Sequence, residues 1–375
     1  MYWQHEYERE GASMAVGTTY QLDLPENGML GSLFLRLSAD ELSGYGQGVE
    51  DWRLLDKISK IIILGNGATI LKSLTGRQLQ AMTFWDQGCF PPSVWRNYAS
   101  NTQFEYFLLN FGRYYGDTEY GLDLARFKNI EIQLTNTAAS TDFGAIGVTI
   151  MGAYLQDAPA GQFKGFLRTE EWRSWTTVAN ETKYLDLPTE HVLRRIILQA
   201  IPDKTTTLED TNFSNLMYDV ECSLDTGQKR VYKGGVDDLA RLNYWKNGHN
   251  ILSHGLTYQT AGFGTEVDLG YLFGGAAVAA TRDNAVATVF PSLNGGNNGG
   301  VIEFEGYEGD TMEMFLMAGL APFYTTVIHF DLSDDPSTWL DPDRRKTVEL
   351  NIMTRNSASA ADGVNAVVLD RLVRY

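Results

Sequence analysis

Cysteine, histidine and positive charge are all scarce in this 375-residue chain. Its two cysteines, Cys89 and Cys222, fall at unrelated points, which favours two reduced thiols in an intracellular assembly compartment over a disulfide. The 30 Lys and Arg against 47 Asp and Glu give a formal net charge of −17. Because affinity for nucleic acid comes largely from clustered Lys and Arg, this balance argues against a sequence-specific nucleic-acid partner.

Two short basic runs stand out against that acidity. Arg194-Arg195 and Arg344-Arg345-Lys346 are candidates for a local basic patch, although such short runs are more often solvated faces. We expect solvated faces here.

Long apolar runs are also missing. No window approaches the roughly 20 apolar residues that a membrane span needs, and the longest small-apolar stretch, Leu272 to Ala280, is interrupted by Gly-Gly. The first ten residues have neither the basic head nor the apolar run of a signal peptide, so export by that route is not predicted.

The patterns of metal sites are incomplete. The five histidines contain no His-x-His, and His249 and His254, five residues apart, are either a metal site or, by default, loop histidines. The acidic run from Asp331 to Asp343 has oxygen donors suited to Ca²⁺, but it lacks the spacing of an EF-hand, so an exposed loop is the favoured interpretation. We predict no metal ligands.

Sequence signatures of catalysis are absent as well. The chain contains no Gly-x-Ser-x-Gly, Walker loop, dinucleotide fingerprint or Cys-x-x-Cys. Carboxylate pairs for glycoside cleavage are always available among so many acidic residues, but no pair is singled out. We therefore predict no catalytic residues, no cofactor and no enzyme activity.

What the chain does contain is an internal repeat. Residues 122–134 align without a gap on residues 340–352, with Leu, Asp, Arg, Lys and Glu coinciding and the alternating apolar positions preserved. Three further blocks recur in the same order. These blocks pair residues 22–25 with 185–188, 79–85 with 239–245, and 144–155 with 363–375.

The repeat describes two tandem domains, since solenoid repeats are only about 20 to 50 residues long. The offset between the copies rises from 160 at Trp85/Trp245 to 218 at Leu122/Leu340, which places an insertion of roughly 58 residues in the second copy. The Gly/Asn run at residues 294–300 suits an exposed tip, and the strand-like pieces Val301 to Phe304 and Met312 to Met317 lie beside it. We expect the insertion to project as a tower.

Strand alternation dominates each copy. Short alternating runs are separated by turn signals such as Gly65-Asn66-Gly67 and Asp225-Thr226-Gly227, which predict hairpins. Apolar residues then recur at a spacing of three, which suits a short helix plugging one end of a sandwich. Seven or eight strands per half with hardly any helix predict two β-sandwiches. We place an N-terminal arm at residues 1–17, the first sandwich at 18–157, a linker at 158–181, and the second sandwich at 182–375 with the insertion at about 246–320.

Some repeated side chains and the proposed arm carry further expectations. Trp85 and Trp245 are predicted to be core plugs rather than sugar platforms. Glu131/Glu349 and Arg126/Arg344 are expected at strand positions in structural ion pairs. The mixed aromatic and acidic residues of 1–17 show no strand alternation, and the segment either docks on a neighbour or a membrane face or is a frayed terminus.

With this repeat, a short helix after the second hairpin of each copy and no catalytic set, the chain resembles the double jelly-roll major capsid proteins of tailless icosahedral viruses, especially membrane-containing viruses of bacteria or archaea. The resemblance covers residues 18–375 and implies two tandem eight-stranded jelly rolls, an all-β fold. It implies a homotrimer that is pseudo-hexagonal in outline and located in the virion capsid after synthesis in the host cytoplasm. It further implies contacts with neighbouring capsomers, with penton or minor capsid proteins and, through residues 1–17, with an internal membrane.

A second function from another class stays open at this point. A carbohydrate-active double sandwich, either a hydrolase or a glycan-binding spike, would show paired carboxylates or exposed aromatic residues in a cleft between the halves.

Overall fold

The computed structural model describes residues 1–42, 53–89, 91–97, 101–202, 213–247, 321–356 and 362–375, together with the backbone of the strands at 251–259, 265–268, 272–273, 276–281, 301–304 and 311–319. The first half contains ten strands and one long helix. They are β1 (Tyr2–Met14), β2 (Thr19–Asp23), β3 (Met29–Asp40), β4 (Ile58–Gly65), β5 (Thr69–Leu74), α1 (Gly76–Gln87), β6 (Trp95–Asn97), β7 (Thr102–Asn110), β8 (Leu122–Asp123), β9 (Ile130–Asn136) and β10 (Ile146–Gln156).

The second half repeats this order and adds strands after its long helix. They are β11 (Gly165–Thr176), β12 (Thr182–Asp186), β13 (Val192–Ile201), α2 (Phe213–Leu216), β14 (Asp219–Leu224), β15 (Lys229–Gly235), α3 (Val236–Asn247), β16 (Ile251–Gln259), β17 (Thr265–Asp268), β18 (Leu272–Phe273), β19 (Ala276–Thr281), β20 (Val301–Phe304), β21 (Thr311–Gly319), β22 (Ala321–Pro322), β23 (Thr325–His329), β24 (Val348–Met353) and β25 (Val364–Arg374).

Each half forms a jelly roll of eight strands in two sheets. In the first roll the sheet orders are β1-β10-β3-β7 and β2-β9-β4-β5. In the second roll they are β11-β25-β13-β23 and β12-β24-β14-β15. The orders correspond strand by strand, so the predicted all-β fold of two eight-stranded jelly rolls is confirmed.

The repeated sequence blocks occupy the same structural positions. The blocks that begin at Leu122 and Leu340 each contain a 3₁₀ turn, Leu124–Arg126 and Pro342–Arg344, and each continues into the strand beside the hairpin. The helices α1 and α3 both span twelve residues and begin at the offset of 160 that the sequence shows. The predicted hairpin turn is also present, with Asn66 and Gly67 at φ values of 55° and 73°, a conformation that suits a tight two-residue turn.

The prediction for residues 1–17 and the linker 158–181 is wrong in one respect, because both segments contain a long strand. Strand β1 pairs with β10, and β11 pairs with β25, so each roll begins with this strand. The bulge between Tyr7 and Arg9 recurs between Glu171 and Arg173. Such bulges break the period of two, and most of β1 is exposed, so neither segment shows the alternation by which a strand is recognised.

The two rolls share one continuous sheet. Strand β5 of the first roll runs parallel to β11 of the second, with Lys72 opposite Thr169 and Ser73 opposite Glu170. This pairing joins the two four-stranded sheets into an eight-stranded one. A single core of buried apolar side chains also extends through both rolls.

Part of the insertion forms strands at the end where the long helices lie. The four-stranded sheet β19-β21-β16-β6 combines insertion strands with β6, which follows α1 in the first half. The strand-like pieces predicted from sequence are β20 and part of β21. The Gly/Asn run at 294–300 lies outside the described residues, and the tower stays a prediction. No helix in the described part of the chain is both long and apolar enough to span a bilayer.

Candidate functional site

The junction between the two rolls is the most elaborate polar arrangement in the described structure. Helix α1 of the first roll supplies one side of it. Thr75 caps the helix by accepting from Gln78 N, the Gln78 side chain accepts from Thr75 N in return, and Gly88 ends the helix at φ 69°. These caps fix the helix ends, so the positions of Trp85 and Asp86 in the last turn are well defined.

Trp85 inserts from α1 against the second roll. Its side chain is buried, and the indole Nε1 donates to Thr325 Oγ1 at 3.0 Å. The ring also meets His329 edge to face at a centroid distance of 6.1 Å. At the start of the helix, Gln78 Nε2 donates to Gln199 Oε1 at 3.1 Å and to Glu171 of β11. Helix α1 is therefore bound to the second roll at both ends.

Two neighbouring arginines of β13 form the centre of the junction. Arg195 has no solvent exposure and donates from Nε to Asp370 at 3.0 Å, from Nη1 to the Trp85 carbonyl at 3.0 Å, and also to Asp86. Arg194 donates to Asp331 at 2.8 Å and to Asp86 at 3.0 Å. Because Asp86 belongs to the first roll and both arginines to the second, the two ion pairs made by Asp86 cross the junction.

Asp331 connects the network to helix α3. Lys246 Nζ lies 3.1 Å from Asp331 Oδ1, and His329 Nδ1 lies 2.9 Å from the same oxygen. Burial lowers the pKa of His329 to about 4, so at neutral pH the imidazole is neutral and Nδ1 donates to the carboxylate. Burial opposes ionisation of Asp331, but the bond from His329 and the charges of Arg194 and Arg195 outweigh it and lower the pKa of Asp331.

Lys72 is a further buried cation, at the place where the two sheets join. Its Nζ donates to Thr169 Oγ1 at 2.7 Å across the β5–β11 pairing, and Thr169 Oγ1 donates to Asp370 at 2.8 Å. Burial lowers the pKa of Lys72 to about 8, while the charges of Asp370 and Asp86 oppose that shift. Lys72 is thus close to its titration range at physiological pH.

This arrangement is suited to holding two rolls in one orientation. The side chains of Asp86, Asp331 and Asp370 are at most 5% exposed, and each is bonded to at least one arginine, so these three carboxylates are all engaged. A buried ion network is stable only while every member keeps its partners, because an unpaired buried charge is strongly destabilising. It has the character of a structural joint rather than of an acid–base pair.

Several expectations about single residues are corrected here. Arg194 and Arg195 are buried in the network, so the prediction of a solvated face is wrong for this run. Trp85 is a plug as predicted, whereas Trp245 is 81% exposed, and the prediction is wrong there. The exposure of Trp245 reflects the absence of a second neighbouring roll beside α3.

The repeated arginines form local pairs and do not lie on strands. Arg126 Nε lies 3.2 Å from Asp123, and Arg344 Nε lies 3.0 Å from Asp341, both within the 3₁₀ turns. The repeated Glu131 and Glu349 do lie on strands, and each accepts a hydrogen bond from a side chain two residues away. Both copies of the repeat thus keep an Asp–Arg ion pair that closes the 3₁₀ turn.

The candidate metal ligands are otherwise engaged or lie outside the described side chains. In the acidic run, Asp331 is bound to cations of the chain, Asp341 pairs with Arg344, and Asp335 accepts from Ser337 N at 2.9 Å. His249 is outside the described residues, and of His254 only the backbone is described. Among the described side chains, no group of three or more His, Cys, Asp or Glu could hold an ion.

Asp86 and Asp370 were missed from sequence, although a signal was present for Asp370. Asp370 interrupts the apolar run Val367 to Leu372, and Arg194-Arg195 interrupts Leu193 to Leu198. Charged residues are almost never fully buried unless they are paired, so opposite charges inside two apolar strands indicate a buried pair. Asp86 has no comparable signal, because it follows Trp85 near the end of a mixed helix.

No family model matches the chain, and no curated protein matches it by sequence. Solved structures do match. A chain from the atomic structure of Sulfolobus turreted icosahedral virus superposes with a TM-score of 0.61 at 12% identity, over 98% of this chain and 90% of that one. The major capsid protein of bacteriophage PM2 gives 0.53 at 10% identity over 100% and 98%, and a chain of the PBCV-1 virus capsid gives 0.56 at 8% identity over 99% and 93%.

These similarities establish a shared fold. They extend over nearly the whole length of both chains, so both jelly rolls and their arrangement are included. The identities are far too low to transfer individual residues.

Proposed function

We propose that this chain is a major capsid protein whose activity is assembly rather than catalysis. Three copies form a pseudo-hexagonal capsomer, and capsomers tile the icosahedral shell of a virion. The single observation that carries this proposal is the duplication itself: two jelly rolls with one strand order and recurring bulges are locked side by side by a buried ion network. Three such chains present six similar flanks, which suits a near-hexagonal lattice.

The fold shared with viral capsid chains supports this proposal. The acidic charge fits it as well, since a net charge of −17 keeps a chain soluble at high local concentration before assembly. Of the two surfaces proposed for residues 1–17, a neighbouring subunit and a membrane, the free edge of β1 favours the subunit. Penton or minor capsid proteins and the insertion at 246–320 remain proposed contacts.

The comparisons give no support to the carbohydrate-active alternative. Its hallmark was a pair of carboxylates lining a cleft between the halves. The carboxylates of the ion network are buried against arginines instead. In the open cleft that both halves line, Glu119 is paired with Arg113 and Lys164.

Light scattering coupled to size-exclusion chromatography tests the proposal directly. We expect a mass three times that of the chain, and negative-stain images of hexagonal outlines. A protein that stays monomeric at its highest soluble concentration would contradict the proposed function.

A further inference from the structure

Helix α3 exposes the apolar residues that its counterpart α1 buries. Leu242 and Trp245 of α3 are 55% and 81% exposed. The aligned residues of α1, Met82 and Trp85, are 4% exposed each, because α1 packs against the second roll. Surface clusters of large apolar residues mark interaction sites. Because α1 packs on the second roll, the repeat indicates that α3 packs on a surface similar to the one that receives α1.

The surface that receives α1 on the second roll has an equivalent on the first. The bulge at Arg194 recurs at Gly31, and the strand pairings on either side of it correspond, so equivalent positions can be assigned by register. The pairs that matter are Ser32 with Arg195, Phe34 with Ile197, Arg36 with Gln199, Tyr106 with Thr325, and Tyr7 with Glu171.

At this equivalent surface the first roll has an open apolar groove. Its volume is about 470 Å³, and its lining includes Phe34, Tyr106, Leu108, Met151 and Cys89. A cavity of roughly 150 Å³ already accommodates benzene, so an indole ring fits in this groove. Tyr106 lies where Thr325 accepts the indole N–H of Trp85 in the other roll.

The polar residues around the groove are matched in charge. Within the chain, Gln78 of α1 donates to Gln199 and Glu171. On α3 the residue aligned with Gln78 is Asp238, which is 76% exposed at its side chain. The positions equivalent to Gln199 and Glu171 are Arg36 and Tyr7, both able to donate to a carboxylate. Within the chain the helix residue donates and the second roll accepts, whereas at the equivalent surface the helix residue Asp238 would accept and the first roll would donate.

The free strand edges beside these surfaces also complement each other. Strand β15 is the edge that corresponds to β5, and β1 is the edge that corresponds to β11. Strand β15 carries Lys229, Arg230 and Lys233, the last two paired with Glu221 of β14. Strand β1 carries Glu6, Glu8 and Glu10 with one arginine, Arg9. In the register of β5 on β11, Lys233 would lie opposite Glu6. Opposite charges across paired strands are stabilising.

We propose that α3 and β15 of one chain dock on the groove and the β1 edge of a second copy, with Trp245 inserted in the groove as Trp85 is inserted within the chain. This inference rests on the proposed function and specifies the contact through which the copies associate. The contact is heterologous, since it joins two different surfaces, so repeating it generates a ring or a chain of copies.

Cys89 provides a reporter of the groove. It is exposed in the single chain, whereas Cys222 is buried and burial raises its pKa to about 12, so alkylation at neutral pH reports on Cys89. We expect Cys89 to react at least tenfold more slowly at concentrations where the protein associates. Trp245→Asp is expected to raise the dissociation constant by about tenfold or more and to restore the alkylation rate. The matched control is Tyr184→Asp, at a side chain 75% exposed on β12, which should change neither.

Charge exchange tests the register. Arg36→Asp and Asp238→Arg should each weaken association, and the double variant should recover most of the loss because the pair is re-formed in reverse. Melting of dilute monomeric protein checks that each variant folds. Losses that simply add in the double variant would overturn the pairing.

The outcomes separate this inference from the proposed function. Association that Trp245→Asp leaves unchanged, with Cys89 still reactive in the assembled protein, would overturn the contact and leave the capsid role standing. A protein that is monomeric at every concentration, with Cys89 reactive throughout, would overturn both.

Discussion

Replacing Asp370 by Asn tests whether the ion network holds the rolls together. Asp370 has no solvent exposure and accepts from Arg195 at 3.0 Å, from Arg194 at 3.4 Å and from Thr169 at 2.8 Å. Asn keeps the shape but removes the charge. Arg194, Arg195 and Lys72 would then have only Asp86 and Asp331 as buried counter-charges.

Removing one member of a buried ion pair leaves the other charge uncompensated and costs about 3–5 kcal/mol. We expect Asp370→Asn to lower the free energy of unfolding, measured by urea denaturation, by that amount at pH 7. The matched control is Asp341→Asn, whose partner Arg344 is 83% exposed, and surface pairs of that kind contribute at most about 1 kcal/mol.

The pH dependence gives a second check on the same variant. Burial opposes ionisation of Asp370, but Arg195, Arg194 and Lys72 outweigh it and lower its pKa. A carboxylate with a depressed pKa stabilises the fold fully above its unfolded pKa of about 3.9, and the contribution is lost as the pH falls further. The difference between wild type and Asp370→Asn should therefore be full at pH 7 and shrink below about pH 4. A loss at pH 7 no larger than that of Asp341→Asn would refute the idea of a structural joint.

Three further changes test other parts of the molecule. Trp85→Ala should destabilise the monomer by about 3–5 kcal/mol in urea denaturation because it empties a buried site, whereas Trp245→Ala should change it by less than about 0.5 kcal/mol; equal effects would contradict the different environments of the two helices. Burial lowers the pKa of Lys72 to about 8, so between about pH 8 and 10.5 the folded state binds fewer protons than the unfolded state and the free energy of unfolding rises with pH. Lys72→Met should remove this rise. Parallel plots of the free energy of unfolding against pH for wild type and variant would count against it. Burial raises the pKa of Glu105 to about 8, so the folded state loses stability as the pH rises from about 4.3 to 8, and Glu105→Gln should abolish that slope in thermal melts measured across this range; an unchanged slope would argue against a protonated Glu105.

The internal repeat made most of the fold predictable from sequence. Residues 22–25 and 185–188 each end a strand of equal length, β2 and β12, because a proline that cannot donate to a ladder follows both. The first strand of each roll was not predictable in the same way. Its alternation is broken by a bulge and, in β1, by exposure of both faces, and periodicity detects only a strand with one buried face.

The junction was less predictable, because burial of a side chain depends on what lies opposite it. Trp85 and Trp245 occupy aligned positions in helices of equal length, yet one is buried and the other exposed. A single chain supplies only one junction between rolls, so the sequence pattern is the same while the environment differs. For Arg194 and Arg195 the surrounding apolar run was the better guide, and the charge alone suggested the wrong environment.

The position of β25 sets an order on biosynthesis. This strand lies between β11 and β13, and it carries Asp370, yet the ribosome makes it after every strand that it contacts. Until it emerges, the second roll has a gap in the middle of its sheet and the two arginines lack Asp370 as a partner. A nascent chain can therefore complete its first roll early, but it cannot seat α1 firmly until translation has passed residue 374. If the chain has the proposed capsid role, this order of synthesis keeps half-made chains out of a growing shell.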